Sequence, residues 1–259
     1  MLLVFDIGNT NTVMGIYDGA KLVKEWRLTS RKQTSDEVGF MMLGLLSSAG
    51  IDKADVEGAI FGSVVPSLDK MFRDGIREYI GVECLRVSAK MDMGLKIRMK
   101  NPTGIGADRL LNAAAGIEKY GTPLIIVDLG TAITFDVISE DGAYLGGVIA
   151  PGMELGMESL FSRTAKLPQI ELAAPEKIIG GNTIEAIQSG IVYGTVGMTE
   201  KMIEGIDREL GTKCRVIATG GHAPLIARLC ASIDCVDQWL TLDGLRICYE
   251  RNCGGKQHS

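Results

Sequence analysis

The chain has 259 residues, a formal net charge of −5, and 46% hydrophobic against 23% charged residues. This balance is typical of globular proteins, and the length suffices for a large core without disulfides. The lack of basic excess argues against a partner bound through nucleic-acid phosphates. Because Asp6 interrupts the short apolar start and no segment approaches ~18 apolar residues, we expect a cytoplasmic protein without a membrane partner.

The first half predicts a three-stranded meander followed by alternating helices and strands. The strands are expected at residues 2–6, 12–17 and 20–28, with Asp18-Gly19 as a hairpin turn. The later elements are helix 35–49, strand 58–62, helix 66–79, strand 84–87 and helix 106–120.

The segment from residue 123 repeats this beginning at an offset of 122 and then 123 residues. The matched positions are Asp6/Asp128, Gly8/Gly130, Thr12/Thr134 and Asp18-Gly19/Asp141-Gly142. Further elements are expected as one long helix or two over 182–210, strand 214–218, helix 224–232, strand 233–236 and helix 242–251. A domain-sized unit that opens with Asp-x-Gly is therefore used twice.

Two such units predict an α/β fold in which mixed sheets are flanked by helices on both faces. We place the domains at residues 1–120 and 121–252, and expect a disordered tail at 253–259. Ligands of such sheets bind at the carboxyl ends of strands, so the site is expected in the cleft between the halves.

The first Asp-x-Gly turn has the residue types of a phosphate loop. Gly8 lets backbone amides approach a phosphate, and Asn9, Thr10 and Thr12 add donors. Asp6, at the strand end, could hold Mg²⁺ directly or through water. A plain hairpin turn rich in Asn and Gly explains the same residues equally well.

Two further glycine turns follow strands in the second half. Asp128 to Thr131 is the second copy, and two matched turns favour a clamped nucleoside triphosphate over two plain turns. Gly220-Gly221 would leave room for a flat adenine or a ribose, although this pair alone is weak evidence. There is no GxxxxGK[ST] loop, which disfavours a P-loop kinase.

The segment Gly106-Ala107-Asp108-Arg109 opens a predicted helix, whose N-terminus attracts anions. Asp108 could accept a proton from a substrate hydroxyl, and Arg109 could bind a carboxylate. The simpler interpretation is that Asp108 stabilises the helix dipole, by about 0.5 kcal/mol, beside an exposed Arg109.

Cysteine and histidine offer little alternative chemistry. The six cysteines lack zinc-site spacing, so we expect reduced thiols and no zinc. His222 and His258 are the only histidines, which favours carboxylates for acid–base chemistry.

Four motifs together resemble the type III pantothenate kinase family of the actin, Hsp70 and sugar-kinase superfamily. They are D-I-G-N-T (6–10), G-A-D-R (106–109) after N-P, D-L-G-T-A-I-T (128–134) and T-G-G (219–221). Blocks at 163–172, 182–194 and 240–252 also resemble the family, so the similarity covers about residues 1–252.

The resemblance implies duplicated actin-like, ribonuclease H-like domains that transfer a phosphoryl group from ATP to the 4′-hydroxyl of pantothenate, the first step of coenzyme A synthesis. It implies ATP contacts at Asp6, Ile7, Gly8, Asn9, Thr10, Asn11, Thr12, Val13 and Thr131. It further implies a pantothenate site at Gly106, Ala107, Asp108 and Arg109, with Asp108 as the general base. Asp128 would hold potassium or ammonium, and Thr183 would reach the substrate across a homodimer interface.

Three positions depart from the family pattern: Met99 where a Tyr is usual, Gly104-Ile105 before G-A-D-R, and His222 after the glycine pair. The competing functions are a non-catalytic regulator, an actin-like assembly ATPase and another small-molecule kinase of the superfamily. The intact turns and Asp108 disfavour the regulator, and the short chain disfavours filament contacts.

The helix predicted after Asn182 has an apolar and small face formed by Ile184, Ile187, Ile191 and Gly194. This face could line a two-fold interface that presents Thr183 to a neighbouring site, or it could pack on its own sheet.

Overall fold

The computed structural model describes residues 1–88, 90–163, 167–168 and 170–253, without the side chain of Thr103. These residues form two compact units. Unit 1 contains Met1–Leu95, Asn101–Ala115 and the segment from Leu240 onward, and unit 2 contains Lys96–Lys100 and Gly116–Trp239. No helix of the described ranges is long and apolar enough to cross a membrane.

Unit 1 is built on a five-stranded mixed sheet with the order β3-β2-β1-β4-β5. The strands are β1 (Leu2–Ile7), β2 (Asn11–Asp18), β3 (Lys21–Thr29), β4 (Gly58–Ser63) and β5 (Cys84–Arg86). The helices are α1 (Ser35–Ser48), α2 (Pro66–Gly75, continued by a π-helical segment Ile76–Ile80), α3 (Ala107–Tyr120) and α7 (Leu240–Cys253). The last residues of α3, from Gly116, belong to unit 2.

Unit 2 is built on a six-stranded sheet with the order β11-β10-β7-β8-β9-β6. The strands are β6 (Lys96–Ile97), β7 (Leu124–Leu129), β8 (Ala132–Ile138), β9 (Ala143–Pro151), β10 (Arg215–Thr219) and β11 (Cys235–Val236). The helices are α4 (Met153–Arg163), α5 (Thr183–Leu210) and α6 (Ala223–Ala227).

The predicted duplication is confirmed strand by strand. In unit 1, β1 pairs antiparallel with β2 and parallel with β4, and β7 makes the same two pairings with β8 and β10. Both copies even carry a register shift at one equivalent place, between Ile16 and Tyr17 in β2 and between Val137 and Ile138 in β8.

One detail of the predicted alignment is wrong. Asp6 lies opposite Val13, whereas Asp128 lies opposite Thr134. Thr134 is therefore the counterpart of Val13 and not of Thr12, because the first turn contains one residue more than the second. Since successive strand residues point to opposite faces, Thr12 and Thr134 project from opposite faces of their sheets.

Each unit has its own apolar core between its sheet and two or more helices. In unit 1, Phe5 and Phe61 of the sheet pack with Met42 of α1 and Phe72 of α2. The core of unit 2 includes Val127 and Phe135 of the sheet, Val192, Val196 and Ile203 of α5, and Ile226 of α6.

Glycines allow α7 to lie directly on the other face of the first sheet. A Cβ at Gly15 would lie 3.0 Å from Leu242 Cδ1, and a Cβ at Gly58 would overlap the hydroxyl of Tyr249. Tyr17, at the end of β2, donates a hydrogen bond of 2.7 Å to Asp243. The C-terminal helix is therefore an integral part of unit 1.

Local signals explain the helix boundaries. Thr34 caps α1 together with Glu37, which accepts a hydrogen bond of 2.7 Å from the Thr34 amide. The α-helix predicted over 66–79 ends at Gly75, where a Cβ would lie 2.7 Å from the Ser35 carbonyl oxygen. The segment 182–210 is one helix, capped by Asn182 and ended by Gly211 at φ +70°.

Several elements differ from the sequence predictions. Helix α4 and strand β6 were not predicted, and α6 is shorter than the helix expected over 224–232. The compact units also depart from a single division at residue 120, because α7 joins unit 1 and 96–100 join unit 2. Cys253 ends α7, while 254–259 of the predicted tail, like parts of the 163–172 block, lie outside the described residues.

Candidate functional site

The first Asp-x-Gly turn, at residues 6–13, is closed by its own backbone. The Gly8 amide donates a hydrogen bond of 3.0 Å to the Asn11 carbonyl, and a Cβ at Gly8 would lie 2.8 Å from that oxygen. Asn9 and Thr10, at the tip, are exposed. The donors that this turn can offer to a phosphate therefore come from its tip, since the Gly8 amide is engaged.

Thr12, which the sequence predicted as a donor to a phosphate, is buried beneath the turn. Its side chain is 1% exposed, and its hydroxyl lies 2.8 Å from the hydroxyl of Ser30. Ser30 also donates its backbone amide to the Thr10 carbonyl at 3.0 Å. Thr12 thus supports the turn from beneath, and the supporting Ser30 was not predicted from the sequence.

Asp6 lies beside Gly62 in the adjacent parallel strand β4. A Cβ at Gly62 would lie 3.1 Å from Leu111 Cδ1, and a Cβ at Gly244 of α7 would lie 2.3 Å from the Leu111 carbonyl oxygen. These two glycines fix the first half of α3 against the strand beside Asp6. Their signal in the sequence was a glycine inside a predicted strand and a glycine inside a predicted helix.

Asp108 and Arg109 occupy the first turn of α3, as predicted. The Asp108 carboxylate folds back over the helix start, because a Cβ at Gly106 would lie 2.3 Å from its Oδ1. The Gly106 carbonyl accepts the amide of Leu110 at 3.4 Å, so Gly106 is the residue that directly precedes the first residue of α3 and accepts its first backbone hydrogen bond. Arg109 is half-buried, which does not fit the simpler interpretation of an exposed Arg109.

The second Asp-x-Gly turn, at residues 128–131, lies between glycines. Gly220 has φ +91°, and a Cβ there would lie 2.4 Å from Asp128 Oδ1 and 2.8 Å from the Leu129 backbone. Glycine is thus required at position 220 by its own conformation and by the carboxylate of Asp128. Gly221 is exposed beside it.

The other side of this turn is closed by Gly152, which was not predicted. Its amide donates to the Thr131 carbonyl at 3.1 Å, and a Cβ would lie 2.3 Å from that oxygen. The side chain of Thr131 is exposed. Unit 2 therefore brings together Asp128, Thr131, Gly220 and Gly221, four of the predicted site residues.

The structure shows what lies next to each of the three positions that depart from the family pattern. His222 donates its amide to the Leu129 carbonyl at 3.0 Å, and its Nε2 lies 3.4 Å from Glu154 Oε1. Met99 lies 3.7 Å from the position of a Cβ at Gly146. Gly104 and Ile105 immediately precede the start of α3.

Thr183 is exposed in the first turn of α5. Of the predicted face, Ile187 is buried and Ile191 packs against the core of unit 2, whereas Ile184 is 49% exposed and Gly194 is open. Packing within the unit therefore holds for Ile187 and Ile191, and a two-fold interface along this face stays a prediction.

The described residues contain no site built from three or more metal-ligating His, Cys, Asp or Glu side chains. A cation at Asp6 or Asp128 would take its other oxygen ligands from carbonyls, hydroxyls, water or phosphate, which suits Mg²⁺ bound to a nucleotide.

Comparison with known proteins gives consistent matches. The sequence profile of the type III pantothenate kinase family matches residues 2–205. A type III pantothenate kinase from Geobacillus kaustophilus is 48% identical over 253 residues, which is 97% of this chain and 98% of the relative.

Solved structures resemble the chain at the level of fold. A Campylobacter jejuni protein described as a Baf family transcriptional activator has a TM-score of 0.61 at 18% identity, covering 97% of this chain and 99% of its own. A Listeria monocytogenes protein described as an N-acetylmannosamine kinase has a TM-score of 0.56 at 12% identity, covering 99% of both chains. These neighbours and the two matching sheets confirm the predicted duplicated actin-like fold.

The four motifs predicted to act together lie on this fold at strand ends and at one helix start, and a close relative covers nearly the whole chain. The chain belongs to the type III pantothenate kinase family.

Proposed function

We propose that this chain transfers the γ-phosphoryl group of ATP to the 4′-hydroxyl of pantothenate. The observation that carries the proposal is the near full-length match to the family, combined with a carboxylate, Asp108, at the start of α3. Phosphoryl transfer depends mainly on positioning and on electrostatic stabilisation of phosphate oxygens, for which two glycine turns and a helix N-terminus are suited.

The nucleotide sites proposed here are the turns at residues 6–13 and 128–131 and the Gly220-Gly221 pair. The exposed tip of the first turn and the exposed Thr131 support this role, because both lie at the surface, where a ligand can reach them. The requirement for glycine at 220 is already explained by Asp128, so a contact of Gly220 with adenine rests on the sequence alone.

The acceptor site proposed here is Gly106 to Arg109. Asp108 would take the proton of the attacking hydroxyl, and Arg109 would bind the pantothenate carboxylate with its planar fork. The position of the Asp108 carboxylate over Gly106 supports this assignment, since it keeps a proton acceptor at the open end of the helix.

Mg²⁺ is proposed at Asp6 and potassium or ammonium at Asp128. When bound, such cations neutralise charge on the triphosphate oxygens. Omitting Mg²⁺ should abolish turnover, and a sodium-only buffer should lower it. Full activity in sodium alone would remove the monovalent site. A cytoplasmic location stays a prediction of the sequence.

The test of the reaction is a coupled assay for ADP with and without pantothenate, on the wild type and on Asp108→Asn. ADP release should depend on pantothenate, and the variant should lose roughly 10²–10⁴-fold in kcat because an amide cannot take the proton. Its melting temperature should match that of the wild type. A near-normal kcat in the variant would exclude Asp108 as the base.

A homodimer is proposed from the exposed apolar surface around the start of α5. Ile178, Ile179 and Ile184 are 68%, 87% and 49% exposed, and Leu155 and Phe161 of α4 are 42% and 47% exposed. Such exposure is unusual for a monomer. Gly190, Gly194 and Gly197 follow one open face of α5, which would allow a close approach.

The shared site is tested by subunit exchange between Asp108→Asn and Thr183→Ala homodimers. If Thr183 serves the partner's site, half of the mixed population carries one intact site per dimer, and activity should rise to about a quarter of wild type. No recovery after exchange is verified by mass spectrometry would place both residues in the same subunit's site.

A further inference from the structure

We infer that Ser30 is a positioning residue for the first Asp-x-Gly turn and that its hydroxyl contributes to ATP affinity through Thr12. The inference rests on the proposed role of residues 6–13 in binding ATP. Neither the sequence motifs nor the family resemblance assigned a role to Ser30.

Ser30 holds the turn at two points on either side of Asn11. Its amide donates to the Thr10 carbonyl at 3.0 Å, and its hydroxyl lies 2.8 Å from that of Thr12. Asn11 in turn accepts the amide of Gly8 at 3.0 Å. The exposed tip is therefore fixed by one bond within the turn and by two bonds from Ser30.

Comparison with the second turn shows which of the two Ser30 bonds occurs only in the first turn. Gly152 follows β9 as Ser30 follows β3, and its amide donates to the Thr131 carbonyl at 3.1 Å. No side chain fits at Gly152, since a Cβ would lie 2.3 Å from that carbonyl. The hydroxyl bond thus belongs to the longer turn, which has one residue more to order around a ligand.

The hydrogen bond between Thr12 and Ser30 is shielded from solvent on the Thr12 side and borders a cavity. Thr12 is 1% exposed, which makes its hydroxyl costly to leave without a partner. Thr12 and Ser30 also line a cavity of about 300 Å³ with Leu28, Met41 and Phe72. The cavity therefore leaves room for Thr12 and the turn above it to move once the Ser30 hydroxyl is removed.

The experiment compares Ser30→Ala, Thr12→Val and the double variant with the wild type. The dissociation constant of Mg²⁺–ATP is measured by calorimetry without pantothenate, and KM is measured for both substrates. Each single substitution should weaken ATP binding and raise KM for ATP about three- to tenfold, with KM for pantothenate unchanged. The double variant should be no worse than either, because both remove the same bond.

Two controls separate positioning from general stability. Thr29→Val removes an exposed hydroxyl from the same segment and should leave ATP affinity unchanged. Ser30→Thr keeps a hydroxyl and should restore affinity to within about twofold of wild type. Since Thr12→Val breaks the bond from the other side, the inference stays testable if Ser30→Ala does not fold.

Three results would overturn the inference. They are ATP affinity within twofold of wild type in Ser30→Ala, additive losses in the double variant, or an equal loss in Thr29→Val. A wild type that binds ATP but does not phosphorylate pantothenate would refute the proposed function only, and the affinities would still decide the role of Ser30. A wild type that binds no ATP would refute both.

Discussion

The two Asp-x-Gly turns begin from matching strands and are closed by matching backbone bonds, yet they are stabilised differently. The first is closed from Gly8 to Asn11, and the second from Gly130 to Ala132, at 3.0 and 3.1 Å. Gly152 and Gly220 enclose the second so closely that a Cβ at either would lie within 2.4 Å of a turn oxygen. The first turn is one residue longer and depends on side-chain hydroxyls.

The two turns are thus held by different kinds of contact. The second turn is enclosed by the backbones of Gly152 and Gly220, where any added side chain would overlap with it. The first turn keeps an exposed tip of Asn9 and Thr10 and is held by the polar bond between Thr12 and Ser30. We expect the second turn to be intolerant of added atoms and the first to be sensitive to lost hydrogen bonds.

The largest expected effect is that of Gly220→Ala. The φ of +91° alone costs an alanine about 1–3 kcal/mol, and the contact with Asp128 and Leu129 adds to it. The free energy of unfolding should fall by about 3 kcal/mol, and ATP affinity should fall with it. Chemical denaturation and calorimetry at 25 °C measure the two quantities.

Gly8→Ala is the matched variant of the first turn. Its Cβ would meet the backbone carbonyl oxygen of Asn11 at 2.8 Å, but no unfavourable φ is added, so we expect a smaller loss of about 1–2 kcal/mol. Equal losses of stability in the two variants would contradict the contrast between the turns.

The next largest effect is expected when Gly152, which follows β9, and Ser30, which follows β3, are each replaced by the residue of the other. Gly152→Ser places a Cβ against the Thr131 and Gly130 carbonyls and should cost about 2 kcal/mol in the free energy of unfolding. The reverse change, Ser30→Gly, removes one hydroxyl bond and should cost about 1 kcal/mol. If Ser30→Gly were the more damaging change, the steric enclosure of the second turn would matter less than the hydroxyl bond of the first.

The last comparison is between one buried thiol in each unit. Burial raises the pKa of Cys84 in unit 1 to about 12, and burial with the Asp207 hydrogen bond raises the pKa of Cys214 in unit 2 to about 12. The unfolded chain releases these protons near pH 9, whereas the folded chain keeps them. Each thiol should therefore lower the free energy of unfolding as pH rises from about 9 to 12.

Urea denaturation at pH 8 and pH 10.5 tests this sign. Cys84→Ser and Cys214→Ser should each reduce the loss of stability between the two pH values, whatever their effect at pH 8. An unchanged pH dependence in both variants would show that the thiols do not contribute to it.

Much of the fold could be predicted because its signals are local. Apolar runs bounded by glycine turns located the strands of both meanders, and the Asp-x-Gly repeat revealed the duplication. Asp108 was predicted at a helix start because Gly106 and the Ala/Leu-rich run mark that start within a few residues. Strand β6 was missed because two residues, Lys96 and Ile97, are too few to show a period.

By itself, then, the sequence determined the class of fold, the repeat and the types of residue at the strand ends. Only the tertiary structure decided that Thr134 and not Thr12 lies opposite its aspartate, that Ser30 supports Thr12, and that Gly220 makes room for Asp128. The physical reason is that register and steric fit are set by pairs of residues far apart in the chain. Tyr17 and Asp243, whose bond spans 226 positions, show how distant a residue can complete a unit that the first strands begin.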